Sequence, residues 1–127
     1  MQYHNTEKMG YSASSLLDPR AFTNNPVDEL PNNALWLISG EGKSPKEFFL
    51  AAVFKVYQAK TNCYDHPLFK NAAYGHGHIF GETIRLNGLS WFESFKKSMS
   101  NFKYGLCEIE EKDVIVELRK LAGRHAI

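Results

Sequence analysis

Apolar residues concentrate in two runs near the middle of the chain, residues 34–39 and 48–57, on either side of the polar segment EGKSPK. Both runs are rich in aromatic and β-branched residues and are bounded by Gly and Pro, which is typical of β-strands. The short connection predicts an antiparallel hairpin. Alternate apolar residues are predicted to share one face of the second strand: Phe48, Leu50, Ala52, Phe54 and Val56. Its other face is also largely apolar, so we expect a central strand of a closed or helix-covered sheet.

The flanking segments alternate between strand-like and loop-like patterns. Residues 2–5 and 79–86 have strand character, and residues 12–18 predict a brief helix that stops before Pro19. Residues 20–33 are rich in Asn and Pro and predict a loop. Residues 61–78, TNCYDHPLFKNAAYGHGH, are interpreted as a long irregular stretch rich in His, Tyr and Asn. Long connections of this kind often carry functional side chains, because those side chains are not committed to a core.

Two longer helices are predicted in the last third of the chain. Ser90 and Glu93 have the spacing of a capping box, which predicts a helix start at Ser90. The core-facing stripe of this helix is Phe92, Phe95, Met99 and Phe102. The final helix is expected to begin near Glu110, to end near Gly123 and to bury Val114, Leu118 and Leu121. Strands interleaved with a few helices predict one α+β domain over residues 1–127, with a small curled mixed sheet or pseudo-barrel and flanking helices.

Charge and cysteine content narrow the classes of partner. Fifteen Lys and Arg residues nearly cancel fourteen Asp and Glu residues, so a net charge of +1 predicts no general field for polyanions, and any nucleic-acid contact should be local. Two cysteines far apart predict no disulfide framework and favour a reduced, cytoplasmic location. The opening MQYHNTEKMGYS lacks the pattern of a secretory signal, and no apolar run approaches the ~20 residues of a membrane helix. We therefore expect no membrane partner.

Several segments resemble parts of catalytic or metal-binding motifs. GEGKS resembles the end of a phosphate-binding P-loop, but Leu37 stands where the motif needs Gly and the following segment predicts a strand, so a hairpin turn is the better interpretation. The spacing of Cys63, His66, His76 and His78 matches no common structural zinc site. No G-x-S-x-G or comparable context marks a nucleophilic Ser. We predict no catalytic residue, no metal and no cofactor.

Aromatic and polar side chains together mark candidate ligand positions at the ends of predicted elements. These residues are Tyr3, His4 and Asn5 in the first strand, Trp36 and Ser39 in the hairpin, and Trp91 at the start of the helix. Aromatic faces with a few directed hydrogen-bonding groups suit a planar ligand, such as a base flipped out of a nucleic acid. The competing interpretation is that the tryptophans and Phe92 belong to the core.

The order of these segments resembles a known group. QYHN, the pair VDELPNNALWLISGEG and KEFFLAAVFKV, and the tail IRLNGLSWFESFKKSMSNFKYGLCEIEEKDVIVEL are similar to the first strand, the hairpin and the closing helices of the PUA-like superfamily, in particular its EVE and YTH-type domains. Tyr3-His4 replaces the usual first-strand Trp, and PNN replaces the usual GD turn. The resemblance implies a small mixed barrel that holds a modified or flipped base. It also implies that residues 74–78 form a lid. The pocket residues that it implies are Tyr3, His4, Asn5, Trp36, Ser39, Trp91, Tyr74 and His76.

These patterns together predict a non-catalytic domain that binds DNA or RNA and recognises a modified or flipped base by stacking and hydrogen bonding. Two alternatives stay open. One is a small enzyme that uses the His-rich segment 61–78 for metal-assisted or acid–base chemistry. The other is a protein-interaction module, which predicts an exposed apolar patch. The sequence leaves the oligomeric state open.

Overall fold

The computed structural model describes residues 1–5, 9, 18–42, 46–102 and 105–127. Within them the strands are β1 (Gln2–Asn5), β2 (Arg20–Thr23), β3 (Ala34–Glu41), β4 (Glu47–Lys60) and β5 (Asn71–Arg85). The helices are α1 (Phe92–Ser98) and α2 (Lys112–Ala122), and single 3-10 turns follow at Ser100–Phe102 and Gly123–His125. Residues 43–45 of the predicted hairpin connection EGKSPK (41–46) and nearly all of the predicted helix at 12–18 lie outside the described residues.

The strands form one nearly closed, barrel-like sheet in the order β1-β3-β4-β5-β2. β1 pairs with β3 in parallel, and every other pairing in the sheet is antiparallel. The edge strands β1 and β2 approach each other, and residues 105–107 run along the gap between them. The Tyr3 N–H donates to the Gly105 carbonyl over 3.1 Å, and Asn25 Nδ2 donates to the Leu106 carbonyl over 3.1 Å. The predicted α+β pseudo-barrel with flanking helices is confirmed.

β4 is the central strand, as its two apolar faces predict. The pairing of β3 with β4 and of β4 with β5 shifts register between Leu50 and Ala52. Such a bulge moves the following side chains to the opposite face. Phe48 and Leu50 therefore pack in the cluster that includes both helices, whereas Ala52, Phe54 and Val56 pack against residues of β2, β3 and β5. The single apolar face predicted for residues 48–56 is divided between two cores.

Two predicted loops contain strands. Residues 71–78 belong to β5, so the irregular interpretation of this part is wrong. Gly75 and Gly77 lie against β4, where a Cβ atom would collide with the carbonyl oxygens of Lys55 and Val53. Glycine is needed here for close approach of two backbones rather than for a turn. β2 forms inside the predicted loop 20–33, because Arg20–Thr23 pairs antiparallel with the start of β5.

The helices bury the predicted stripes, although α1 begins differently. Phe92, Phe95, Met99 and Phe102 are all buried, as are Val114 and Leu118 of α2, whereas Leu121, which was also predicted to be buried, is half-buried against the same core. Trp91 occupies the N-cap of α1 without a side-chain hydrogen bond, and Glu93 pairs with Lys96 over 3.3 Å, so the predicted capping box does not form. Gly123, with φ 58°, ends α2 as predicted. In the part of the chain that the structure describes, no helix is both long and apolar enough to cross a membrane.

Candidate functional site

A cavity of about 450 Å³ opens at the gap between the edge strands β1 and β2. Its walls come from both edge strands, from the segment after β2, from the start of β4 and from the turn after α1. Apart from Met9 and Gly105, the lining consists of aromatic rings and polar side chains. The rings are Tyr3, Phe48, Phe69 and Phe102, and the polar side chains are Gln2, Asn5, Thr23, Asn24, Asn25, Lys46 and Asn101. Aromatic walls with a few polar groups are the usual composition of a small-molecule site.

The aromatic wall centres on Tyr3. Its ring stacks on Phe102 with centroids 5.4 Å apart and planes 20° apart, and Phe48 lies 6.1 Å away. The ring crosses β3 above Gly40, where a Cβ atom would lie only 2.7 Å from Cζ of Tyr3. Burial raises the pKa of Tyr3 to about 12, because the low-dielectric surroundings disfavour the phenolate. The hydroxyl therefore keeps its proton at neutral pH.

The polar wall consists mainly of amide side chains, and several are fixed by backbone contacts. Asn24 Oδ1 accepts the Lys70 N–H over 2.9 Å, and the Asn25 N–H donates to Thr23 Oγ1 over 3.1 Å. Gln2 Nε2 donates to the Tyr3 carbonyl over 2.7 Å. Gln2 Oε1 is buried and has no hydrogen-bond partner among the described residues. Amides offer donors and acceptors side by side, which is the pattern that a base edge presents.

The described lining of the cavity carries a positive charge. Lys46 is the one charged side chain among the described residues that line it, and no carboxylate lies among them. An ammonium group without a competing carboxylate attracts an anion such as a phosphate, and the attraction is strongest where the cavity wall excludes water. The wall therefore combines a stacking surface, hydrogen-bonding groups and a cation.

The turn after α1 adopts an unusual backbone where it lines the cavity. Ser100, Asn101 and Phe102 have φ values of 52°, 56° and 63° in succession. Left-handed conformations cost non-glycine residues about 1–2 kcal/mol each, although Asn tolerates them better than most. This turn directs Phe102 into the core beneath Tyr3 and brings Asn101 to the cavity. Backbone strain of this kind clusters at ligand sites.

The structure brings two of the predicted site residues together and separates the others. Tyr3 and Asn5 line the cavity. His4 and Ser39 are neighbours in the pairing of β1 with β3, and both are buried. They lie in the sheet and not in the lining of the cavity.

The two tryptophans occupy other places. Trp36 is buried and lines a second cavity of about 660 Å³, together with Cys107 and Arg119. Trp91 is half-buried against Phe92 and Phe95 and lines neither of these two cavities. The tryptophans therefore do not converge with Tyr3 and Asn5.

The residues of the predicted lid lie on the outer face of the sheet. The Tyr74 hydroxyl donates to the Asp65 carboxylate, and the pKa of Tyr74 is raised by burial and by this contact. Lys60 Nζ lies 5.1 Å from the Tyr74 ring centroid. The His76 ring stacks on Tyr57, which is 56% exposed, with centroids 4.6 Å apart. Because β5 is a paired strand here, these residues are placed by the sheet and do not cover the cavity.

The histidines of residues 61–78 do not form the cluster that their spacing in the sequence would allow. His66 lies in the core with Nε2 3.2 Å from the Met9 carbonyl, and His78 stacks on His125 with centroids 3.5 Å apart. The pKa of His125 is lowered by desolvation and by the neighbouring His78 and Arg124. No group of three or more His, Cys, Asp or Glu residues in the described parts of the chain is arranged to hold a metal ion.

Several lining residues were not candidates from the sequence. Phe48 and Phe102 fit the predicted core, and they contribute to both core and cavity. Nothing in the sequence of the four-residue strand β1 marks Gln2 as part of a binding site. The adjacent pair Asn24-Asn25 is the signal that was available, because consecutive amides directly after a strand suit a binding loop.

Comparisons of the chain with protein-family models, with curated proteins and with solved structures returned no match. The PUA-like relationship therefore stays a prediction based on the sequence. Because one fold hosts many functions, the fold alone does not identify the function of this chain.

Proposed function

We propose that this chain is a binding domain that takes a base of DNA or RNA into the cavity between β1 and β2, without catalysis. The observation that carries the proposal is the union, in one cavity, of the Tyr3–Phe102 stack with a wall of amide side chains. Stacking on an aromatic side chain contributes about 1–3 kcal/mol per base, and amides can hydrogen-bond the base edge. The volume of about 450 Å³ lies within the range of small-molecule sites, about 300–1,000 Å³.

Lys46 favours a nucleotide over a nucleoside. Its ammonium group is the one charged group of the described lining, so a phosphate attached to the bound base would be attracted by Lys46 and would meet no carboxylate among the described lining residues. A charge pair at the edge of a protein contributes on the order of 1 kcal/mol, or about fivefold in affinity. The near-zero net charge of the chain predicts weak binding to duplex DNA or RNA of arbitrary sequence, because that binding depends on many phosphate contacts.

The test is calorimetric titration of the protein with the common nucleosides and their 5′-monophosphates. At least one monophosphate is expected to bind saturably. Gly40→Ala should weaken it about fivefold or more, because the new Cβ displaces the Tyr3 ring from the cavity wall. Lys46→Ala should weaken the monophosphate and leave the nucleoside unchanged.

Lys120→Ala is the matched control, because Lys120 lies on α2 and pairs with Glu117 away from the cavity. Its affinities should equal those of the wild type. Failure of every nucleoside and nucleotide to bind would refute the proposal. Binding that Gly40→Ala leaves intact would place the ligand elsewhere and would refute the assignment of the cavity.

A further inference from the structure

The orientation of the Gln2 side chain is fixed by the backbone. Gln2 is 4% exposed, and its Nε2 donates to the Tyr3 carbonyl over 2.7 Å. The reverse orientation of the amide would place two oxygen atoms against each other, so the donor must face Tyr3 and Oε1 must point away from it. Oε1 is buried, and no described residue donates a hydrogen bond to it.

A buried acceptor without a partner is uncommon in folded proteins and destabilises them. Gln2 lines the cavity between β1 and β2, and its Nε2 is already hydrogen-bonded to the Tyr3 carbonyl. A ligand that enters this cavity with an N–H group can give Oε1 the hydrogen bond that no described residue gives it. A ligand without such a group leaves the acceptor unpaired in the complex as well.

The backbone around Gln2 holds this acceptor in place before any ligand arrives. β1 is paired on one side with β3, through Gln2 and Leu37, and on the other with residues 105–107, through Gln2 and Leu106. Gly105 has a φ of 73°, and a Cβ atom on it would lie 3.3 Å from Gln2 Nε2. Glycine at this position keeps a side chain away from Gln2, and the hydrogen bond from Nε2 to the Tyr3 carbonyl resists rotation of the amide, so the acceptor is preorganised.

We infer that Gln2 is a specificity-determining residue, which selects bases that keep an N–H donor on their Watson–Crick edge. This inference rests on the proposed function, because it concerns the same cavity. Its ligand class is a nucleotide with an amino or imino group free to donate. Bases in which that donor is replaced by hydrogen or by a methyl group are disfavoured, because Gln2 Oε1 then stays unpaired.

The experiment compares each nucleoside monophosphate with an analogue that lacks the donor. For adenosine and cytidine these are the purine and 2-pyrimidinone ribosides, in which hydrogen replaces the amino group and no bulk is added. For uridine the analogue is the ring N3-methyl derivative, and for guanosine it is 1-methylinosine, which lacks both the 2-amino group and the ring N–H. For the preferred pair, the wild type should bind the natural nucleotide about fivefold or more tightly than its analogue. This is the expected effect of leaving one buried hydrogen-bonding group unsatisfied.

Two variants assign the preference to Gln2. Gln2→Met removes the acceptor at similar size, and it should bind both members of the pair within about twofold of each other. Gln2→Leu removes the same acceptor with a smaller side chain and should likewise bind both members within about twofold of each other, which keeps the test decisive if Gln2→Met does not fold. Circular dichroism and denaturant midpoints establish the folding of both.

The outcomes separate this inference from the proposed function. Equal binding of both members by the wild type would overturn the role of Gln2 and leave base binding in place. A preference that persists in folded Gln2→Met would overturn it in the same way. Failure of all the nucleotides to bind would overturn both the inference and the proposed function.

Discussion

The substitution Gly77→Ala tests the close approach of β4 and β5. Gly77 pairs with Phe54, and a Cβ atom on Gly77 would lie 2.5 Å from Phe54 Cα and would collide with the Val53 carbonyl oxygen. The φ of Gly77 is outside the left-handed region, so its own backbone accepts alanine. The obstacle is therefore the neighbouring strand, whose atoms belong to a backbone in the centre of the sheet.

The magnitude follows from two opposing terms. Replacing glycine by alanine in a strand stabilises the fold by about 0.5–1 kcal/mol, because the unfolded chain loses freedom. Overpacking of a core costs about 1–3 kcal/mol, and more where backbone atoms must move. Val53 and Phe54 are fully buried, so the strand has no free space into which it can shift. We expect Gly77→Ala to lose about 1–2 kcal/mol of unfolding free energy.

Gly81→Ala supplies the matched control in the same strand. Nothing lies within 4 Å of a Cβ atom at Gly81, so only the stabilising term applies there. The two variants should differ by about 2–3 kcal/mol, or on the order of 10 °C in Tm for a domain of this size. Urea or guanidinium unfolding and thermal scans measure the difference. Equal stabilities of the two variants would refute the reasoning, because the backbones would then have room for a side chain at Gly77.

Two further predictions concern the walls of the cavity. Ser100→Gly should stabilise the protein by about 1 kcal/mol, because Ser100 has a φ of 52° and glycine adopts this conformation without strain. As a control, Ser94→Gly in α1 should destabilise the protein by about 0.5–1 kcal/mol. Denaturant midpoints that are lowered by both substitutions would contradict this prediction. Tyr3 should make stability depend on alkaline pH, because its folded pKa of about 12 lies above the unfolded value of 10. Its contribution is complete below pH 10 and is lost as the pH rises through 12, so unfolding free energy should fall more steeply over that range in the wild type than in Tyr3→Phe. Parallel slopes in the two proteins would show that the Tyr3 hydroxyl is not shielded.

The position of the cavity follows from an incomplete barrel. β1 and β2 are the edges of the sheet, and edge strands leave backbone groups without a strand partner. Asparagine side chains bond backbone groups of the segments next to these edges: Asn25 Nδ2 donates to the Leu106 carbonyl over 3.1 Å, and Asn71 Nδ2 donates to the Asn25 carbonyl over 2.8 Å. Amide side chains therefore lie close to the gap, and amides are groups that can hydrogen-bond the edge of a base.

Local patterns in the sequence determined much of the fold. The alternation of apolar residues placed the hairpin and its central strand, and the stripe from Phe92 to Phe102 placed the buried face of α1 and its following turn. Gly123 predicted the end of α2, because a left-handed residue is needed there. These features depend on periods of two or 3.6 residues, or on one residue type, and such information is present in the chain itself.

Long-range contacts decided the rest. The alternating glycines of residues 74–78 suggest an irregular segment, and only the nearness of β4 shows that they permit a strand. The bulge at Leu50–Ala52 depends on the pairing of three strands, so the division of one apolar face between two cores is invisible in β4 alone.

The same division applies to the candidate site. Tyr3 and Asn5 stand out in the sequence because an aromatic and an amide occur together in a short strand. Their association with Asn25, Lys46 and Asn101 arises from the closure of the sheet, which joins segments up to about a hundred residues apart. The sequence by itself determined which elements form and which faces they bury. Only the tertiary structure decided which side chains share a cavity, because that depends on where the two edges of the sheet meet.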